Sequence, residues 1–160
     1  MGVGKTTIGR KLASRLHFRS TDMDEYIEKL EGMSVQTIFS QMGESWFRAK
    51  ETEVLHLLAD EKDDMVISTG GGVPCFNNNM DFINSRGMSY YLKMSAPALI
   101  NRLSNIEKQT RPLIREKTEK ELAVFVSRML SEREPFYLQS KHVISAEDFK
   151  IEHILSTLNS

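Results

Sequence analysis

A single cysteine, Cys75, excludes a disulfide framework and suits a reducing compartment, where it reads as packing filler. No apolar run approaches the roughly 20 residues that span a bilayer, and no leader stands ahead of the first motif; a soluble, cytoplasmic chain is expected. Neither charge sign is in surplus. Twenty-one basic and 22 acidic residues leave a net charge of −1, which argues against a nucleic-acid-binding stripe. The four histidines, His17, His56, His142 and His153, lack metal-ligand spacing, so they predict no zinc site. Repeats and low-complexity linkers are missing too. What remains is a chain of 160 residues, 40% hydrophobic, long enough for one core and read as a single domain over residues 1–160.

The first informative stretch is Gly2-Val3-Gly4-Lys5-Thr6-Thr7, which runs straight into a helical pattern. Glycines there let backbone N–H groups turn toward phosphate oxygens, and a helix N-terminus adds its positive dipole end. In such a P-loop Lys5 reaches the terminal phosphates and the Thr6 hydroxyl ligates Mg²⁺. The loop is by construction a strand-to-helix turn opened by a further glycine. The expectation is that Met1 is not the natural beginning and that a buried, central strand precedes it. On that expectation the chain as written is unstable through exposed strand edges, and about ten upstream residues restore it.

Ile8, Leu12 and Leu16 predict the buried stripe of a first helix. A short strand over 18–21 leads into Asp22 and Asp24 and a polar helix that closes at Gly32. Ser34 caps a helix carrying Val35, Ile38 and Phe39, and Phe47, Val54, Leu55 and Leu58 mark a long amphipathic helix. Residues 65–69 read as a buried strand entering Gly70-Gly71-Gly72, with a helix from about Asn79. A strand over 88–94, a helix from Pro97, a charged loop over 105–117 read as mobile, a helix around Leu122–Met129, a strand at 142–144 and a closing helix complete the pattern. Strands alternating with helices predict a doubly wound α/β protein, a parallel sheet with helices on both faces.

Ligands in such sheets bind beyond the carboxyl ends of the strands. Asp22 and Asp24 follow one strand, where paired carboxylates suit one Mg²⁺ partner and one base; a solvated acidic turn is the plainer reading of the pair alone. Gly70, Gly71 and Gly72 follow the next strand and suit either close approach to the backbone or a bare tight turn. Arg133 continues the stripe of Leu122, Val126 and Met129, so it either snorkels or meets an anion. Arg48 sits beside an apolar helix face, where a salt bridge to a nearby acid is the simple alternative. Arg111 heads Arg-Pro-Leu in the charged loop, a place for a lid arginine, and Arg102 adjoins Leu103.

Taken in series, Gly-Val-Gly-Lys-Thr-Thr, Asp22-x-Asp24, Phe47-Arg48, Gly70-Gly71-Gly72, Arg111-Pro112-Leu113 and Arg133-x-Pro135-x-Tyr137 resemble shikimate kinase over essentially the whole chain. The resemblance implies a P-loop kinase that phosphorylates a hydroxyl of shikimate from ATP, on the route to chorismate and aromatic amino acids. It implies that Gly2, Val3, Gly4, Lys5, Thr6 and Thr7 bind ATP phosphates, with Thr6 and Asp22 holding Mg²⁺. It makes Asp24 the shikimate-binding base, Arg48 and Arg133 the clamp on its carboxylate, and residues 70–72 the pocket wall. Arg111 becomes the lid group on the transferring phosphoryl, and Arg102 the adenine stack. The substrate-binding segment lies near 22–60 and the lid near 105–117; a cytoplasmic monomer without nucleic-acid or membrane partners follows. One departure is Ser145-Ala146-Glu147-Asp148 after the last strand, where the family often offers a proline to adenine. Two alternatives stay open: a small kinase for gluconate or a nucleoside monophosphate, and a truncated, non-catalytic binder.

Overall fold

The computed structural model describes residues 2–104 and 117–158. Contacts divide the chain into two compact units, Gly4–Met88 and Met1–Val3 with Ser89–Ser160.

The Gly4–Met88 unit contains α1 (Lys5–Leu16), β1 (Arg19–Asp22), α2 (Met23–Glu31), α3 (Val35–Met42), α4 (Glu44–Ala59), β2 (Met65–Ser68), a 3-10 turn (Val73–Cys75) and α5 (Asn79–Arg86). β1 and β2 are parallel, from Arg19 opposite Met65 to Asp22 opposite Ser68. A parallel pair needs a long crossover, and α2, α3 and α4 supply it. The consequence is functional: the two carboxyl ends coincide, so the chain leaving β1 at Asp22 and the chain leaving β2 before Gly70 emerge side by side. Met23, Ile27, Ile38, Phe47, Val54, Leu55, Leu58 and Val73 form the buried core beneath them.

Local chemistry sets these boundaries. Asp22 is at once the last residue of β1 and the cap of α2, its Oδ1 accepting the Asp24 and Glu25 N–H groups at 3.0 and 3.3 Å. The predicted strand is therefore one residue early. Gly32 ends α2 at φ +68°, where a side chain would be strained, and Ser34 Oγ accepts the Thr37 N–H at 3.1 Å.

The first helix departs from its predicted stripe. Its buried residues are Gly9, Leu12 and Ala13, while Ile8 and Leu16 are only half-buried. The cause is close approach to β2: a Cβ on Gly9 would lie 2.5 Å from Ser68 Oγ, and that hydroxyl donates to the Lys5 carbonyl at 3.3 Å. A small-residue face seats the helix deeper than a bulky one allows. Gly9→Ala should consequently destabilise the protein by about 1–3 kcal/mol, the usual range for overpacking. Urea unfolding should show a lower midpoint at unchanged m; an unaltered midpoint would mean that Ser68 gives way freely.

The other unit holds β3 (Tyr90–Lys93), α6 (Ala96–Arg102), α7 (Glu119–Tyr137), β4 (His142–Ser145) and α8 (Ile151–Leu158). β3 and β4 are parallel, Tyr90 opposite His142 through Lys93 opposite Ser145. Met94, Leu99, Leu103, Leu122, Val126 and Met129 form its core, with Val3 packed against it. Thr118 and Glu121 close a reciprocal capping box at the start of α7. The alternation of parallel strands and helices is as predicted, with the four described strands arranged as two parallel pairs. Among the described residues no helix is long and apolar enough to cross a membrane.

Candidate active site

Lys5 and Thr6 open α1, behind Gly4 in the left-handed region at φ +86°. The Thr6 hydroxyl donates to Asp22 Oδ2 at 2.5 Å, so the two groups expected at Mg²⁺ are in contact. Asp22 Oδ1 is already engaged in capping α2, which leaves its Oδ2 aimed at the start of α1. A hydroxyl and a carboxylate are hard oxygen donors suited to Mg²⁺, which binds through one or two protein groups and completes its shell with phosphate and water. That fits the described residues, where no group of three or more His, Cys, Asp or Glu could hold an ion by itself. In the other unit Gly2 is buried at φ +73°, and a Cβ there would lie 2.9 Å from Leu103 and 3.3 Å from Leu99. Both sterics and backbone demand glycine at this position.

Beyond the ends of β1 and β2 lies a compact charged cluster. Asp24 is in the first turn of α2, and a Cβ on Gly70 would sit 2.9 Å from both Asp24 Oδ1 and Glu51 Oε1. Gly72 faces Arg48 so closely that its Cβ would fall 2.1 Å from Nη1. The glycines are thus more than a bare turn: charged side chains press onto their backbone. Val73 N–H donates to the Gly70 carbonyl at 3.2 Å and Cys75 N–H to that of Gly72 at 2.9 Å, which fixes the turn. Cys75 itself is half-buried, with Sγ 3.8 Å from the Gly71 carbonyl.

Arg48 is held on every side. Its side chain is 11% exposed, Nη1 donates to Glu51 Oε2 at 2.7 Å, and Nε and Nη2 donate to Glu44 Oε1 at 3.2 and 2.9 Å. The rings of Phe76, Phe39 and Phe47 lie 4.6, 5.6 and 5.7 Å from its Cζ. Burial pulls its pKa down, but Glu51 and then Glu44 outweigh that and raise it, so the guanidinium stays charged. The salt bridge anticipated as the simple alternative is present, with Glu51 on one side of the guanidinium and Glu44 on another. Glu51, only 2% exposed, escaped the reading of the sequence. The signal was there: position 51 continues the buried face of Phe47, Val54, Leu55 and Leu58, and an acid on such a face needs a partner.

Arg133 lies in the last turns of α7, half-buried, with no ion pair or hydrogen bond among the described residues. Its neighbour Glu134 is tied to β3 by Tyr91 Oη at 3.3 Å and Lys93 Nζ at 3.1 Å, ahead of the helix-weakening Pro135. Burial and then the Glu134 charge push the Tyr91 phenol up, which keeps it a donor. Arg102 ends α6, half-buried and likewise unpaired among the described residues. Arg111 and all of the predicted lid except Lys117 lie outside the described residues.

A parallel α/β fold, a glycine-led helix start and a carboxylate-bearing strand end define a P-loop phosphotransferase. The shikimate kinase family model matches residues 1–159. The chain is 41% identical over 152 residues to the shikimate kinase of Parabacteroides distasonis, covering 95% of this chain and 87% of that protein. The crystal structure of shikimate kinase from Bacteroides thetaiotaomicron superposes with a TM-score of 0.93 at 36% identity, covering 100% of this chain and 94% of that one. Shikimate kinase from Acinetobacter baumannii, solved in complex with shikimate, gives 0.84 at 31% identity, with 99% and 88% covered. This chain belongs to the shikimate kinase family.

Proposed function

We propose that this protein transfers the terminal phosphoryl group of ATP to a hydroxyl of shikimate, giving shikimate 3-phosphate and ADP. The observation that carries the reading is the cluster of Asp24 and the buried Arg48–Glu51 pair around Gly70 and Gly72, at the carboxyl ends of a parallel pair. It offers a hydroxylated acid a base beside Gly70 and a cation beside Gly72.

Asp24 takes the proton as the hydroxyl oxygen bonds to the γ-phosphorus, while the bond to the bridging oxygen breaks and its electron pair leaves with ADP. Arg48 and Arg133 bind the shikimate carboxylate, and the backbone of Gly70, Gly71 and Gly72 lines the substrate. Backbone N–H groups of residues 2–7, Val3 and Thr7 among them, cradle phosphate oxygens, and Lys5 offsets the charge that develops on them. Thr6 and Asp22 are the residues that would hold Mg²⁺, which when bound neutralises phosphate charge. Arg102 stacks on adenine, and Arg111 joins the transferring group from the lid near 105–117. In this reading residues 1–160 form one kinase domain, with the substrate-binding segment near 22–60, acting as a cytoplasmic monomer.

A coupled ADP-release assay across shikimate, gluconate and nucleoside monophosphates tests the assignment. Release only with shikimate is expected; faster turnover of another acceptor, or binding without turnover, would overturn it. In the same assay Arg133→Ala should raise the KM for shikimate more than tenfold. A charge-assisted hydrogen bond to a carboxylate contributes about 1.5–3 kcal/mol. If only the ATP parameters moved, Arg133 would belong to the nucleotide site.

A further inference from the structure

The Arg48 guanidinium has one edge on which a substrate could bind, and Glu44 occupies it. Phenylalanine rings flank the guanidinium, and Gly72 closes off Nη1 together with Glu51. Glu51 is 2% exposed, so drawing it away from Arg48 would break a buried ion pair. With Nη1 taken by Glu51 and Gly72, the edge formed by Nε and Nη2 is the one left for a carboxylate to grip with two parallel hydrogen bonds. Both atoms donate to Glu44 Oε1, and the Glu44 side chain is 60% exposed. Of the two acids paired with Arg48, Glu44 is thus the one whose release exposes no buried charge. It begins α4 behind Gly43, which supplies no side-chain cap, so the displaced carboxylate remains beside an N-terminus that favours negative charge.

We infer that Glu44 is a built-in competitor for the substrate carboxylate: the incoming acid gains the Nε/Nη2 edge of Arg48 only as Glu44 gives it up. The inference rests on Arg48 as the carboxylate anchor of the proposed reaction. Two properties follow. A neutral ligand brings no charge to replace that of Glu44 on this edge, which makes the exchange a filter for anions. The exchange also lowers apparent affinity, because one ion pair must break for another to form.

Glu44→Gln and Glu44→Ala test this by steady-state kinetics, with thermal melts to confirm folding. An i,i+4 pair with one exposed partner contributes about 1 kcal/mol, so the KM for shikimate should fall about two- to fivefold. The values of kcat and of KM for ATP should hold. The affinity for a competitive analogue bearing a carboxamide in place of the carboxylate should not change. In an Arg48→Ala background the Glu44 substitutions should have no effect. A shikimate KM that is unchanged or higher in both folded variants overturns the inference, as does a gain of equal size in the Arg48→Ala background. If Arg48→Ala by itself leaves that KM unaltered, the anchor assignment fails and the inference falls with it. A steep rise in Arg48→Ala alongside silent Glu44 variants overturns the inference alone.

Discussion

Asp24→Asn is expected to keep the fold and shikimate binding close to normal while lowering kcat by about 10²–10⁴-fold, the usual contribution of a positioned general base. Asp24 is set by two backbone features at once. Its own N–H is held by the Asp22 cap at 3.0 Å, and its Oδ1 lies over the bare Cα of Gly70. Asparagine is nearly isosteric, so it fits the same space above Gly70 but cannot accept the hydroxyl proton. The check is kcat and KM for shikimate measured together, with a thermal melt of each variant. Turnover within a few-fold of the parent would remove Asp24 from the proton transfer. A loss confined to KM would make it a binding group only.

Glu51→Ala should be the most destabilising substitution in the site. Removing one partner of a buried ion pair typically costs about 3–5 kcal/mol, because the other charge stays behind in a poorly solvated place. Here the remaining charge is Arg48, whose side chain is 11% exposed, while Glu44 still holds one edge of it. The lower end, about 3 kcal/mol, is therefore expected, a large share of the roughly 5–15 kcal/mol that stabilises a typical domain. Arg48 would also lose the contact that orients it, so the KM for shikimate should rise with the instability. Glu51→Gln keeps an acceptor of the same shape and should recover part of both. Urea unfolding of the two variants decides the matter; a Glu51→Ala protein within 1 kcal/mol of the parent would show Arg48 to be well solvated without it.

Much of this site could be read from residue types alone. Gly4, Lys5 and Thr6 announce a phosphate loop because glycine adopts the positive φ that opens the helix there at no steric cost. Asp24 could be placed after a strand, while Asp22, expected just beyond it, is that strand's last residue and caps the helix that follows. Residues 70–72 could be recognised as special but not explained, since the side chains that crowd them come from α2 and α4. Glu51 was overlooked because a helix pattern is read for apolar positions, and an acid on the buried face looks like an interruption. Gly9 was overlooked for the complementary reason: the absence of a side chain leaves no mark in a hydrophobic stripe.

By itself, then, the sequence determined the order of strands and helices, their caps, and the kinds of chemistry available, since periodicity, glycine and capping act within a few residues of chain. Tertiary structure alone decided which charges meet. Asp22 touches Thr6 across 16 positions, and the depth of α1 depends on a contact between Gly9 and Ser68. The setting of Arg48 is tertiary too: three rings, a glycine and a buried acid enclose it, which leaves its Nε/Nη2 edge to Glu44. Such contacts depend on packing between distant segments, and burial then sets how strongly each charge is felt.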